Sequence, residues 1–174
     1  MSPFTGVEGF VRGLLYPVLA PAHFISLLGL GLIVGRNAFV QLPTLAAFAS
    51  GLAGGLGAIA WGIGETPAND VLVATAGLCG LIAATGMSAP AWLTAMVALV
   101  AGAALGFDSP PDVIALREAV LMLIGTLCGG IAALAVIGAI ASVLSRPWHS
   151  IATRIAGSWI AAIAILVLAL RWTV

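Results

Sequence analysis

The chain has 174 residues, 62% of them hydrophobic and 7% charged, with six arginines, no lysine and six acids. An ordinary soluble domain carries roughly 25% charged residues, because its surface must be wetted. With a mean hydropathy of +1.22, these side chains cannot clothe a soluble fold, and the chain is expected to lie in a lipid bilayer. A formal net charge of zero leaves no basic patch for nucleic acid. Cys79 and Cys128 are isolated, which excludes a disulfide scaffold and a CxxC zinc or redox site.

A helix crossing the hydrocarbon needs about 20 residues, so this length accommodates six or seven spans. Met1 to Gly9 lacks the basic start and apolar core of a cleavable signal, so the first span is expected to direct insertion. Pro17 and Pro21 interrupt the first apolar stretch, predicting a short or bent element from Gly6 to Tyr16 and a main helix near Val18 to Gly35. A second span is predicted over Pro43 to Ile63. After a turn from Gly64 to Asn69, Asn69 or Asp70 is expected to cap a third span ending at Gly86. Met87 to Pro90 reads as a tight connection before a short fourth span, Ala91 to Gly106. The polar interruption from Phe107 to Asp112 precedes a fifth helix, about Val113 to Leu144. Ser145 to His149 ends that helix, and Ser150 to Trp172 is the sixth span. The expected fold is all-α: one integral membrane domain over residues 1–174, a bundle of six transmembrane helices with no soluble domain.

Placing the N-terminus outside puts Arg36, Arg146 and Arg154 inside and Arg12, Arg117 and Arg171 outside, three against three. Every acid (Glu8, Glu65, Asp70, Asp108, Asp112, Glu118) then falls outside. Acids contribute little to insertion, but the inside arginines lack nearby acids, and an N-terminus outside is the orientation adopted. Glycines recur four apart at Gly31/Gly35, Gly51/Gly55, Gly102/Gly106 and Gly125/Gly129, the spacing that lets helix backbones approach in lipid. The run from Gly51 to Gly57 lies inside an apolar span with no Lys-Ser or Lys-Thr after it, so packing is a better reading than a phosphate loop.

Polar groups at membrane depth cost free energy unless they are paired or used. His23 stands two residues past Pro21, with Tyr16 before the break. It either hydrogen-bonds a carbonyl freed by Pro17 or Pro21, or serves as a nitrogen ligand or pathway residue. His149 lies in a connection on the opposite side. Cys79 and Cys128 fall mid-span and read as packing residues or as soft ligands. Asp108 and Asp112 flank Ser109-Pro110-Pro111, where they either cap and solvate a boundary or draw cations to a pore mouth. Arg117 and Glu118 are adjacent and do not face each other, so Glu118 is expected to pair with Arg12 or with Arg117 of a neighbour. Trp61, Trp92, Trp148, Trp159 and Trp172 mostly sit near span ends, as interfacial anchors do. No paired histidines for haem, no nucleophile with a base and no carboxylate pair at depth suggest an enzyme or a bound cofactor.

Phe4-Thr5-Gly6 and the run from Gly9 through Tyr16-Pro17 to Ala22-His23 resemble the start of the HupE/UreJ proteins, small membrane proteins regarded as nickel or cobalt permeases. Tyr16-Pro17 stands where that family has His-Pro, and Ala22-His23 where it has Asp-His. Ala101-Gly102-Ala103-Ala104-Leu105-Gly106-Phe107-Asp108-Ser109-Pro110 aligns with the family's histidine-, glycine- and acid-bearing stretch, keeping both glycines, Ala104 and Pro110. Asp108 stands for the acid there, and both histidines are absent. Leu127-Cys128 takes the place of Leu-His, and Arg154 to Ala162 is similar to the last helix. The resemblance covers essentially the whole chain. It implies a bacterial inner membrane location, metal-ligand candidates His23, Asp108 and Cys128, and a path lined by Tyr16 and His23. Two functions follow from it: a permease for nickel, cobalt or another small solute, or a non-transporting subunit or accessory of a larger membrane complex. The expected partners are the lipid bilayer, a metal ion and other membrane subunits.

Overall fold

A computed structural model describes residues 5–36, 38–63, 67–110, 116–143 and 150–172. These form seven helices: α1 (Thr5–Leu19), α2 (Pro21–Val34), α3 (Ala38–Ala60), α4 (Ala68–Thr85), α5 (Ala91–Phe107), α6 (Leu116–Val143) and α7 (Ser150–Trp172). The all-α expectation holds. α4, α6, α7 and most of α3 are long and apolar enough to cross a membrane, and α1 and α2 form one broken span bent by 66°. α5 is a shorter apolar helix of 17 residues.

The break in the first span falls later than the sequence suggested. Pro17 is accommodated inside α1, and the chain turns at Ala20, which is extended at φ −77°, ψ 118°. A proline ring disfavours the helical conformation at the residue before it; Tyr16 and Leu42 stay helical before Pro17 and Pro43, whereas Ala20 before Pro21 is extended, so the bend falls at Pro21. α3 likewise takes Pro43 into its early turns instead of starting there. Pro67 holds the N-cap position of α4, and no side chain caps it, so neither Asn69 nor Asp70 plays the expected role. Gly62, at φ 78°, closes α3: its amide bonds the Ile59 carbonyl at 2.8 Å, and the Ile63 amide bonds that of Ala58 at 3.0 Å. Gly86 ends α4 in the same left-handed region.

Close glycine contacts fix how the helices run. Gly51 faces Leu99 and Ala103, and Gly55 faces Ala103 and Gly106, so α3 and α5 are parallel. Gly13 lies on Met122 and Gly129 on Leu14, making α1 parallel to α6; Gly31 on Ile137 and Gly35 on Ala141 align α2 with α6 in turn. Gly77 meets Ala164 while Gly80 meets Gly157, so α4 and α7 are antiparallel. These are the relations that six alternating crossings demand if the bent pair is one crossing and α5 another. All four glycine pairs expected to pack do so.

The exterior is as apolar as the core. Trp61, Leu116 and Leu42 are 86%, 81% and 77% exposed, while Leu52, Leu72, Ala76 and Leu134 are fully buried. Such an outer surface suits lipid, not water. One end of the bundle gathers Glu8, Arg12, Asp70, Asp108, Arg117, Glu118 and Arg171; the described charges of the other are Arg36 and Arg154. At that basic end, Arg36 Nη1 donates to the Ala83 carbonyl at 3.3 Å, and Arg154 Nε to that of Ala84 at 3.0 Å. Both satisfy the open C-terminal turn of α4, where positive charge is favourable.

Candidate functional site

The short α5 and the broken first span meet inside the bundle. A 17-residue helix spans about 25 Å at 1.5 Å per residue, less than the roughly 30 Å hydrocarbon layer. Starting at the basic end, α5 therefore stops below the acidic face. Its C-cap residue, Asp108, comes to the first turn of α2, which begins at the Ala20 break. The unpaired amides of a helix start favour a carboxylate, so the two helix ends are electrostatically matched.

His23, in that first turn, is completely buried. Its Nε2 lies 2.9 Å from Asp108 Oδ2. The Tyr16 hydroxyl donates to the Asp108 backbone carbonyl at 3.2 Å, and the Tyr16 and His23 rings meet edge-on with centroids 5.3 Å apart. Ser109 donates to the Leu105 carbonyl at 2.7 Å, securing the end of α5. His23 Nδ1 is buried without a hydrogen-bond partner among the described residues. The Nε2 proton is the one this geometry gives to the carboxylate oxygen. The expected bond from His23 to a freed carbonyl is thus replaced by one to a carboxylate.

A cavity of about 430 Å³ opens beside this group between α2, α4 and α7. Tyr16, Pro21 and Asp108 border it on one side, Asn69, Ile163 and Arg171 on the other. From Arg171 to Ile163, eight residues along α7, it descends about 12 Å. At the rim Arg171 Nη1 donates to Asp70 Oδ1, and Nη2 to Asn69 Oδ1 at 3.1 Å. The cavity therefore connects Asn69 and Arg171 at the acidic end with Asp108, the carboxylate that holds His23.

Tyr16, His23 and Asp108 come together as one site; Cys128 does not join them and is exposed on α6. Among the described residues, no group of three His, Cys, Asp or Glu side chains is placed to share an ion. Asp112 and His149 lie outside the described residues. The ion pairs among the described residues are His23–Asp108 and Arg171–Asp70, so the expected pairing of Glu118 with Arg12 is not among them. The rim clamp on Arg171 was not anticipated, although antiparallel α4 and α7 place the start of one beside the end of the other. Nor was the contact of Ser26 Oγ with Thr75 Oγ1, 3.4 Å apart and buried between α2 and α4. No protein-family model matches the chain, and neither does any curated protein or solved structure.

Proposed function

We propose that this membrane protein is a permease for a small solute, which enters the bundle through the cavity at the acidic end and meets Asp108 at the broken span. The observation that carries the reading is the fully buried His23 held by a carboxylate that itself borders an open cavity. Ionisable side chains at membrane depth are costly and typically mark the route of an ion or solute. Broken helices whose ends meet near the bilayer centre are a recurring way to build such a site. The solute path ends in well-packed side chains: Leu27, Leu30 and Val34 are buried beyond His23, so transit requires the helices to shift.

The similarity to HupE/UreJ proteins makes nickel and cobalt the first solutes to try, written as cargo and not as resident ions. The same similarity supports a bacterial inner membrane, and the gathering of the acids at one end, away from Arg36 and Arg154, supports an N-terminus outside. Uptake of radioactive nickel or cobalt by cells expressing the chain, compared with cells expressing His23→Ala, tests the reading. Uptake that His23→Ala abolishes is the expected result. Uptake no greater than in cells lacking the chain, repeated across a panel of small ions and neutral solutes, would overturn it.

One observation favours the second reading, a non-transporting subunit. A Cβ on Gly54 or Gly57 of α3 would meet nothing within 4 Å. Together with the exposed Ser50, these residues leave on α3 a stretch of the small side chains that elsewhere in this bundle pack helix against helix. Stable co-purification of other membrane subunits, with no solute uptake, would select that reading.

A further inference from the structure

We propose that the cavity between α2, α4 and α7 binds an organic ammonium cation, a charged head carrying a short hydrocarbon body; that this cation is the solute moved across the bilayer rests on the permease reading. The head sits at Asp108 and Tyr16, and the body lies along the aliphatic walls. The family similarity ranks metal ions first among solutes to try, but the lining of the cavity favours a different class.

Charge sets the sign of the ligand. Two charged side chains line the cavity, Asp108 and Arg171. Arg171 is engaged at the rim by Asp70 and Asn69, so its charge is offset there. Asp108 accepts from the buried His23 Nε2 through Oδ2 at 2.9 Å, and no described residue bonds its Oδ1. Its side chain is 31% exposed. A carboxylate held from behind and open in front is a fixed counter-ion for a cation, in a site less polarisable than water.

An aromatic ring stands at the same place. Tyr16 also lines the cavity, and its hydroxyl bonds the Asp108 carbonyl at 3.2 Å. Rings attract alkylated ammonium heads through their electron-rich faces, more strongly where water is excluded. A transition-metal ion draws its affinity from several N, O or S donors instead. Among the described residues, no third His, Cys, Asp or Glu joins His23 and Asp108 to supply them.

The walls select for a hydrocarbon body. Ile25 of α2, Val73 of α4, and Ile163 and Val167 of α7 present carbon to the cavity. An ion that keeps its water shell finds no hydrogen-bond partner on these side chains. An alkyl chain gains from them, up to about fourfold in affinity for each methylene buried. The volume of about 430 Å³ falls within the range of roughly 300–1,000 Å³ in which small organic ligands are held.

The first arm of the test measures binding, by calorimetry on the full chain in nanodiscs of zwitterionic lipid with empty nanodiscs as the blank. The probe is butyltrimethylammonium. It is expected to bind, with tetramethylammonium about tenfold weaker for want of the body and neutral hexanol weaker again. Asp108→Asn should weaken the probe about tenfold, and Tyr16→Leu at least about threefold, more than Tyr16→Phe, which keeps the ring. No binding of the probe, hexanol binding equally well, or full affinity in Asp108→Asn would overturn the site. The comparison with hexanol uses the unaltered chain, so it decides the matter even if the variants fail to fold. A second arm follows uptake of radiolabelled butyltrimethylammonium and of nickel into proteoliposomes containing the chain. Uptake of the probe that Asp108→Asn abolishes supports the cation as solute. Nickel uptake that excess probe leaves unchanged refutes the cation as solute and leaves the permease standing. Binding of the probe with no uptake of any solute refutes the permease and leaves the binding site standing.

Discussion

Gly80 of α4 and Gly157 of α7 lie so close that a Cβ on Gly80 would stand 2.7 Å from the Gly157 carbonyl oxygen, and one on Gly157 2.8 Å from that of Gly80. Both obstacles are backbone, which cannot step aside. Gly80→Val should therefore force α4 and α7 apart and lower stability by about 1–3 kcal/mol. Gly54→Ala, whose Cβ meets nothing within 4 Å, should be neutral or stabilising. Thermal unfolding of both variants in one detergent compares them, and equal midpoints would show that the contact is not what holds the pair.

Pro21→Ala restores an amide that can bond the Pro17 carbonyl and frees Ala20 to become helical. The 66° bend should relax. Spin labels at Val11→Cys and Leu32→Cys, with Cys79 and Cys128 replaced by alanine, should move apart by about 5 Å at a rise of 1.5 Å per residue. Solute uptake should fall with the straightening. An unchanged label distance would mean that the packing of α6 along both halves, and not the proline, sets the angle.

Arg171 and Asp70 have side chains 45% and 40% exposed, and an exposed ion pair is worth at most about 1 kcal/mol. Arg171→Gln should thus leave the unfolding midpoint nearly where it is. Its effect belongs on transport, because the guanidinium forms part of the cavity rim. A large stability loss with unaltered uptake would assign Arg171 to structure instead.

His23→Ala leaves the Asp108 carboxylate without its buried donor and should cost about 1–3 kcal/mol. Asp108→Asn keeps an oxygen to accept from Nε2 and should cost less, although it removes the charge. Denaturation of the two purified variants gives their order directly. If Asp108→Asn were the more damaging, the bond would matter for its charge more than for its geometry.

With the acidic end outside, Ile63→Cys should react with a membrane-impermeant maleimide on intact cells, and Ser88→Cys only after lysis. Both positions are exposed, at opposite ends of the bundle. The reverse pattern would invert the orientation.

The bilayer location and the sequence of spans were readable because a shortage of charge has few other physical meanings. The limits of α7 agree with the expected Ser150 to Trp172, and α5 runs one residue past the expected Gly106. Proline positions were readable only as disturbances: Pro17 and Pro43 sit within helices, and Pro21 makes the break, a difference decided by the neighbouring turns. Asp70 looked like a cap because it stands in the first turn of a helix; the partner that claims it, Arg171, lies 101 residues away. His23 and Asp108 were each visible as polar groups in an apolar chain. Their bond, across 85 residues, depends on the shortness of α5 and on where the first span bends, and local sequence encodes neither as a distance.

Ala84 is synthesised 70 residues ahead of the Arg154 that bonds its carbonyl. The C-terminal turn of α4 is thus completed only by a residue of the last helix. Insertion and assembly are then separate events in the life of this chain, in keeping with helices that first insert singly and associate afterwards. A molecule cut short before α7 would lack Arg154 and leave the Ala84 carbonyl without that donor, while Arg36 still holds the carbonyl of Ala83.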